Sequence, residues 1–516
     1  MSELWLKIRA SAGNNPGTPA LSIPGSSISV TYAQLVKRVE KLANFMGTLK
    51  PGPIGLLADN GIDWIITDLA CVEAQKCLVP VPTFFTPSQR EHALDDVGAE
   101  HLVAPVTTRL PANYRLTGRL PGADGLGLWQ ITGGETDFDL AGIALDAQKI
   151  TYTSGSTGFP KGVCLSADHL AEVAGSVDIA TRGIAIKRHL CVLPLSTLLE
   201  NVAGVYAPLL RGAEVLVPAL HLLGLHGSSS FHAEQFLRYI SLSDPGSLIV
   251  TPQLLDCLVQ ATLAGWQPPP SLRFIAVGGG KVSQRLIEQA SAAGLPTYQG
   301  YGLSECGSVV SLNLPGNDRP GSVGKPLPHA NVSIHGGEIH IGGALFLGYT
   351  GNSDPKCRSM LPTGDVGYID DQGFLFVTGR KKNLIISSFG RNISPEWVEA
   401  ELTSIPGIRQ AFVAGDGHPY LIALLVTLPG VDEKSLHAAI EAMNMGLPDY
   451  ARVRRWTRIP GGFSVANGTL TENGRLRRAR ILAMYRQKLE KLLPTPDLPA
   501  VSTRHDTGSS RMRSSG

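Results

Sequence analysis

The sequence predicts an α/β fold: a large N-terminal domain of mainly parallel sheets with covering helices and a small β-region, then a small α+β C-terminal domain. Three observations carry this reading. At 516 residues the chain is too long for one simple core. Its first half alternates short apolar strand-like runs with helix-like stretches, the pattern of a parallel sheet covered on both faces. From about residue 320 the texture changes to short, alternating, Gly-punctuated segments, the mark of an antiparallel region. With 43% hydrophobic and 17% charged residues, the chain has enough apolar material for a large core and is not broadly disordered.

Taken in order, residues 31–49 place apolar side chains at helical spacing and stop at Lys50-Pro51-Gly52. Residues 53–60 read as a buried strand, 62–77 as a second helix, and 77–82 as the next strand. Further strands are expected at 101–105, 149–154, 189–195, 213–218, 247–252 and 272–280. Several end in Gly, Ser, Thr or Pro, which suits ligand binding at the carboxyl ends of parallel strands. After Arg380 a compact α+β segment includes a helix capped by Ser394 with Pro395 at its first position. Leu476–Leu493 reads as one basic amphipathic helix with Leu482, Tyr485, Leu489 and Leu492 on a common face. These divisions give domains at 1–378 and 379–495. Residues 496–516, polar and rich in Pro, Ser and Gly, are expected to be a disordered tail.

Net charge is only +2, too little to imply a nucleic-acid partner. It is unevenly spread. Residues 451–516 carry fourteen Lys and Arg against four Asp and Glu, so an anionic ligand or surface is expected at that end, and peripheral membrane contact stays open. Seven scattered Cys residues lack zinc-site spacing and read as reduced thiols. The opening residues have an early acid and no long apolar run, so no secretory leader is expected. No stretch of 18 apolar residues occurs, so no spanning helix is expected. The expected setting is cytoplasmic.

The sharpest local pattern is Thr151-Tyr152-Thr153-Ser154-Gly155-Ser156-Thr157-Gly158-Phe159-Pro160-Lys161-Gly162, an apolar strand running into a Gly- and hydroxyl-rich loop with one Lys. Glycines let backbone N–H groups approach a ligand, and with hydroxyl donors they cradle an anion. Lys161 adds positive charge, so a polyphosphate is the natural guest. The spacing is not that of a Walker A loop, because Pro160 precedes Lys161 and Gly162 follows it.

This loop resembles that of the AMP-forming adenylating enzymes: acyl-CoA synthetases, aryl-CoA ligases, luciferases and peptide-synthetase adenylation domains. Other segments keep the order of that superfamily and together span most of residues 25–493. In Tyr298-Gln299-Gly300-Tyr301-Gly302-Leu303-Ser304-Glu305 the resemblance implies that Tyr301 stacks on adenine beside Gly302, Ser304 touches phosphate, and Glu305 holds Mg²⁺. An aromatic face suits a purine and a carboxylate suits a hard cation. Gly278-Gly279-Gly280 resembles the glycine stretch beside the nucleotide, with Lys281 where relatives keep Pro or a small residue. Asp365, in Leu361-Pro362-Thr363-Gly364-Asp365, is implied to accept from both ribose hydroxyls. Arg380 is implied to contact ribose or phosphate, and Lys382 to be the hinge of a mobile C-terminal domain. Gly390, in the loop Ser387–Glu396, is implied to line the tunnel for the incoming thiol.

Two further positions depart from the pattern. Arg475 stands where relatives keep a catalytic Lys, and Thr197 where many keep a gating His. Arg retains the charge but its planar fork does not reproduce a compact ammonium. Leu470-Thr471 before Arg475 and the pair Arg477-Arg478 bring the look nearest to long-chain fatty acyl-CoA synthetases. The implied activity is ATP-dependent conversion of a medium- to long-chain fatty acid into acyl-AMP, then thioester formation with coenzyme A. Lys161, Glu305 and Arg475 would be the catalytic residues, and ATP, Mg²⁺ and coenzyme A the cofactors and co-substrates. Two alternatives stand beside it: delivery of the acyl group to a carrier-protein thiol, and a nucleotide-binding relative with weak catalysis because of Arg475.

Overall fold

The computed structural model describes residues 2–132, 146–153, 161–226, 230–351, 359–388, 390–471 and 474–493. The expected tail, 496–516, lies outside them.

Two large sheets build the N-terminal domain. One has nine strands in the order Lys325–Pro326, Ser311–Leu312, Thr297–Tyr301, Phe274–Val277, Ser247–Val250, Arg188–Leu190, Glu214–Leu216, Pro19–Ser22, Ser29–Thr31. From Thr297–Tyr301 to Pro19–Ser22 all neighbours run parallel. The other has eight: Gly348–Tyr349, Lys161–Leu165, Lys149–Thr153, Leu78–Pro80, Ile54–Leu56, His101–Pro105, Ala123–Ile131, Tyr114–Leu120. It is parallel from Lys149–Thr153 to His101–Pro105. The central strands are short and buried along their whole length, as a sheet covered on both faces requires.

Helices supply the cover. Helix Tyr32–Met46 begins with a Thr31/Gln34 capping box and buries Leu35, Val39, Leu42 and Met46 along one stripe. It shares a core with helices Ile62–Glu73 and Ala167–Thr181, into which both sheets project side chains, such as Leu56 and Leu165 from one and Leu21 and Val215 from the other. Each buried Leu or Val contributes about 1.5–3 kcal/mol relative to exposure. Helices Ala233–Ser243, Pro252–Leu263 and Gln284–Ala292 cover the outer face of the nine-stranded sheet. Helix Pro87–Asp95 packs Ala93 and Leu94 on the outer face of the eight-stranded sheet, so the layers alternate helix, sheet, helix, sheet, helix.

The expected antiparallel region is a four-stranded sheet: Ala330–His335, Glu338–Gly343, Leu361–Ile369 and Leu375–Arg380. The smaller C-terminal domain has a three-stranded sheet, Ile408–Ala414, Leu421–Thr427 and Val453–Arg458, with apolar cores on both faces. Helix Pro395–Thr403 covers one face and begins as expected, with Ser394 Oγ accepting from Trp397 N–H. One expectation fails. Leu476–Leu493 is two helices, Arg478–Met484 and Arg486–Leu492, broken at Tyr485, whose backbone leaves the helical region. The break rotates the buried stripe: Ile481 and Leu489 enter the core, whereas Leu482 is exposed. Cys71, Cys164, Cys191 and Cys306 are buried free thiols, and Cys77 and Cys257 are partly buried ones. Among the described residues no helix is long and apolar enough to cross a membrane.

A charged group sits between the sheets. Lys149, almost fully buried at the start of the strand that leads to the phosphate-type loop, places Nζ 2.7 Å from Asp68 Oδ1 and 2.8 Å from the Tyr206 hydroxyl. Asn201 and Tyr206 donate to Asp68 Oδ2 at 2.9 and 2.5 Å. Burial pushes the Lys149 ammonium down, and the Asp68 charge opposes that push. Lys149→Met would strand a buried carboxylate. The expected cost is about 3–5 kcal/mol in urea unfolding, partly recovered by adding Asp68→Asn. A Lys149→Met protein as stable as the parent would refute this.

Candidate active site

The site forms where the carboxyl ends of parallel strands from both sheets meet the antiparallel hairpin and the C-terminal domain. Strand Leu361–Ile369 alternates, burying Leu361, Thr363, Asp365 and Gly367. A carboxylate therefore occupies an inward position, where an apolar side chain is the default. The strand register sets Asp365 directly opposite Arg380, and Arg380 Nε lies 2.7 Å from Asp365 Oδ1. The Tyr301 hydroxyl donates to Asp365 Oδ2 at 2.6 Å. Burial pushes the Asp365 carboxyl upward, and Arg380, the Tyr301 bond and Arg475 pull it back. Burial and the adjacent Asp365 charge push the Tyr301 phenol well up, so it stays a neutral donor.

Arg475 comes from the C-terminal domain. Solvent reaches it, yet it faces Asp365, Glu305 and Arg380. Desolvation and the like charge of Arg380 lower its pKa, and the two carboxylates oppose them. Glu305 lies in the short turn Ser304–Cys306 that follows strand Thr297–Tyr301. Its Oε1 accepts from the Tyr349 hydroxyl at 2.7 Å. Lys161 Nζ stands 5.8 Å from the centre of the Tyr349 ring, so Tyr349 links the exposed Lys161 to Glu305. Tyr349 reaches this place because its two-residue strand pairs with the Lys161 strand, Tyr349 opposite Val163. Gly162 permits that approach: a Cβ there would lie 2.6 Å from Thr350 Cγ2. Gly302 is still tighter, since a Cβ would fall 1.9 Å from the Ser308 carbonyl oxygen.

The other expected residues fall at different distances from this cluster. Thr153 ends its strand and is paired with Lys161, while Ser154, Gly155, Ser156, Thr157 and Gly158 lie outside the described residues. Gly279 follows a parallel strand with a positive φ of 78°. Ser304 opens the Glu305 turn. Lys382 is exposed in the turn Lys381–Asn383, directly after Arg380. Gly390 has a φ of 72°, and its N–H donates to Ser387 O, which ties this turn to its own domain. Thr197 Oγ donates to Pro194 O at 2.5 Å. Arg478 is not a free surface charge: Nη1 bonds Glu399 Oε1 at 2.6 Å and the guanidinium stacks on Phe412.

A divalent cation fits at Glu305, because one hydrogen bond to a carboxylate leaves lone pairs for a hard ion. His189, Cys191 and Glu200 also bring ligand-type atoms within 4.8 Å of one another. There the atoms are already used. His189 bonds Glu200 and Ser247, both at 2.9 Å, and Glu200 accepts from Leu193 N–H at 3.1 Å. That cluster is a hydrogen-bonded part of the core.

The profile of the AMP-binding enzyme family matches residues 8–349, and that of the AMP-binding enzyme C-terminal domain matches residues 382–495. A long-chain-fatty-acid–CoA ligase of Mycobacterium bovis is 24% identical, over 91% of this chain and 93% of its own. A 2-succinylbenzoate–CoA ligase of Bacillus pumilus is 29% identical, over 80% and 86%. The structure of o-succinylbenzoate coenzyme A synthetase from Bacillus subtilis, in complex with ATP and magnesium ion, superimposes with a TM-score of 0.71. It shares 23% identity and covers 92% of this chain and 98% of its own, a likeness of fold.

Behind the Glu305 turn lies a titratable group that no sequence pattern marked. His169 is 4% exposed, and its Nε2 would lie 2.9 Å from a Cβ at Gly307. Burial, reinforced by His329, pushes its pKa down to about 4. The unfolded chain takes up this proton near pH 6.5 and the folded one only near 4, so stability is complete above 6.5 and falls as pH drops through that window. For His169 alone the expected loss between pH 7 and pH 5 is about 2 kcal/mol. Urea midpoints at the two pH values should differ accordingly, and less so in His169→Gln. An undiminished difference in that variant would contradict the assignment.

Proposed function

Because the chain belongs to the AMP-binding enzyme family, and relatives aligned over most of its length are acid–thiol ligases, we propose that it activates a carboxylic acid with ATP. Acyl-AMP is formed first, and a thioester with coenzyme A second. The observation that carries the reading is the buried carboxylate of Asp365, held by Arg380 and Tyr301 with Arg475 facing it.

In the first step a carboxylate oxygen of the acid attacks the α-phosphorus of ATP, and the bond to pyrophosphate breaks. Asp365 accepts from the ribose hydroxyls, Tyr301 lies against adenine beside Gly302 and Gly279, and Arg380 adds a donor to ribose or phosphate. Thr153, the loop 154–158, Ser304 and Lys161 hold the phosphates. Bound Mg²⁺ would be held by Glu305 and would screen the phosphate oxygens. Arg475 draws the acid's carboxylate to the phosphorus, so the chain contributes mainly position and charge. In the second step a thiol attacks the acyl carbon, loses its proton, and AMP leaves. The C-terminal domain, taken as 379–495 against 1–378, turns about Lys382, withdraws Arg475 and brings Gly390 to the thiol path. The basic stretch after residue 450 would meet the phosphates of coenzyme A.

For the acid we favour a medium- to long-chain fatty acid. Leu470-Thr471 ahead of Arg475 supports it, as does the long-chain relative aligned over nine-tenths of both chains. The succinylbenzoate ligases make aromatic acids the other arm of the test. A second reading, nucleotide binding with slow turnover, is favoured by Arg475 alone. The free thiols fit a reducing, cytoplasmic setting.

The test is a panel of fatty and aromatic acids, read first as pyrophosphate release with ATP and then as thioester formation with coenzyme A. Release and thioester with a fatty acid are expected. Release without thioester would move the acceptor to a carrier-protein thiol, and no release with any acid would contradict the reading. Arg475→Lys should speed the first step about tenfold, a gain of about 1.4 kcal/mol, if the guanidinium is a handicap.

A further inference from the structure

Tyr349 lies in no motif read from the sequence, yet it holds a central place at the site. It belongs to a two-residue strand, Gly348–Tyr349, at the edge of the eight-stranded sheet. The backbone around it is bonded in two directions. Leu347 N–H donates to the Cys164 carbonyl at 2.8 Å and Thr350 N–H to the Gly162 carbonyl at 2.9 Å, both on the strand that begins at Lys161. Phe346 N–H donates to the Glu305 carbonyl at 2.8 Å. Residues 346–350 therefore join the strand that leaves the phosphate-type loop to the turn Ser304–Cys306.

The Tyr349 side chain repeats this bridge. Its hydroxyl donates to Glu305 Oε1 at 2.7 Å, and its ring centre lies 5.8 Å from Lys161 Nζ. The Phe346 ring meets it edge-on, with centroids 4.9 Å apart and planes at 69°. That packing sets the direction of the ring, and with it the direction of the hydroxyl. Among the described residues this hydroxyl is the only side-chain group that hydrogen-bonds the Glu305 carboxylate. An unbonded carboxylate turns about its last side-chain bond and offers a cation either oxygen. One held at Oε1 offers Oε2 from a fixed place. Bonds of this kind orient a ligating carboxylate from outside the coordination sphere, and losing one costs about 10–100-fold in metal affinity.

We propose that Tyr349 is the positioning residue of the Glu305 carboxylate: its hydroxyl fixes Oε1, leaves Oε2 for a divalent cation, and so carries the part of nucleotide binding that depends on magnesium. The backbone of residues 346–350 ties that carboxylate to the strand that starts with Lys161, so the cation site and the phosphate-binding lysine keep a fixed spacing. Tyr349 acts through Glu305 and is not itself a catalytic residue. The inference deepens the two-step reading given above and rests on it.

The test is calorimetric titration of the full chain with ATP, without an acid, once in excess Mg²⁺ and once in EDTA. The proteins are the parent, Tyr349→Phe, Glu305→Gln and the double variant. Tyr349→Phe keeps the ring that Lys161 and Phe346 meet and removes only the hydroxyl. The ratio of the two affinities reports the cation's share, which a general loosening of the fold would not single out. In the parent, Mg²⁺ should tighten binding. In Tyr349→Phe that gain should shrink about tenfold or vanish, with binding in EDTA unchanged. Glu305→Gln should lose the gain, and adding Tyr349→Phe to it should change nothing further, as two residues acting as one unit require. A Tyr349→Phe protein with the parent's full gain, or losses that add in the double variant, would overturn the proposal while leaving the two-step reading in place. A parent that binds ATP equally in both buffers would overturn it as well. A parent that binds no ATP in either would count against the two-step reading itself, and the inference would fall with it.

Discussion

A carboxylate taken out of water must be held by opposite charge and by donors, and Asp365 is where that constraint organises the molecule. At 3% exposure it has Arg380 opposite it on the next strand and the Tyr301 hydroxyl from the nine-stranded sheet. This fixes the antiparallel hairpin against the end of a parallel strand. The same hairpin ends in Arg380 and runs at once into the turn that leads to the C-terminal domain. The Asp365 site and the domain connection therefore share one hairpin.

The electrostatics around it favour an anion. Arg380, Arg475 and Lys161 surround a space whose carboxylates, Asp365 and Glu305, are each already engaged by a tyrosine hydroxyl. Arg475 is lowered partly by Arg380, a like-charge strain that a phosphate or carboxylate between them would relieve. Where relatives of this look use a compact ammonium, this chain uses a planar fork with five donors. Such a group suits bidentate capture of a carboxylate.

The parallel strands were legible because buried strands of a covered sheet read as short apolar runs between turn residues, and eight runs named from the sequence do lie in the two sheets. The antiparallel region was legible from its alternation. The break at Tyr485 was not, because the apolar spacing of 476–493 is the same for one helix or two and only packing against Phe412 and Leu424 decides it. At the site, Asp365, Tyr301, Glu305, Arg380 and Arg475 come together from motifs up to 174 residues apart in the chain. Tyr349 was missed because its role depends on a two-residue strand pairing with Val163, 186 positions earlier, which leaves no local trace. Lys281 showed as an exception in its motif, but its 2.7 Å bond to the Val377 carbonyl is visible only in three dimensions.

The central claim is that Asp365 fastens the sugar of a nucleotide whose phosphates extend toward Lys161. Isothermal titration calorimetry with MgATP tests it most directly. The account predicts saturable binding by the parent chain that weakens at least about tenfold, about 1.4 kcal/mol, in a folded Asp365→Ala protein. Binding of equal strength in the two proteins, or none in the parent, would contradict it.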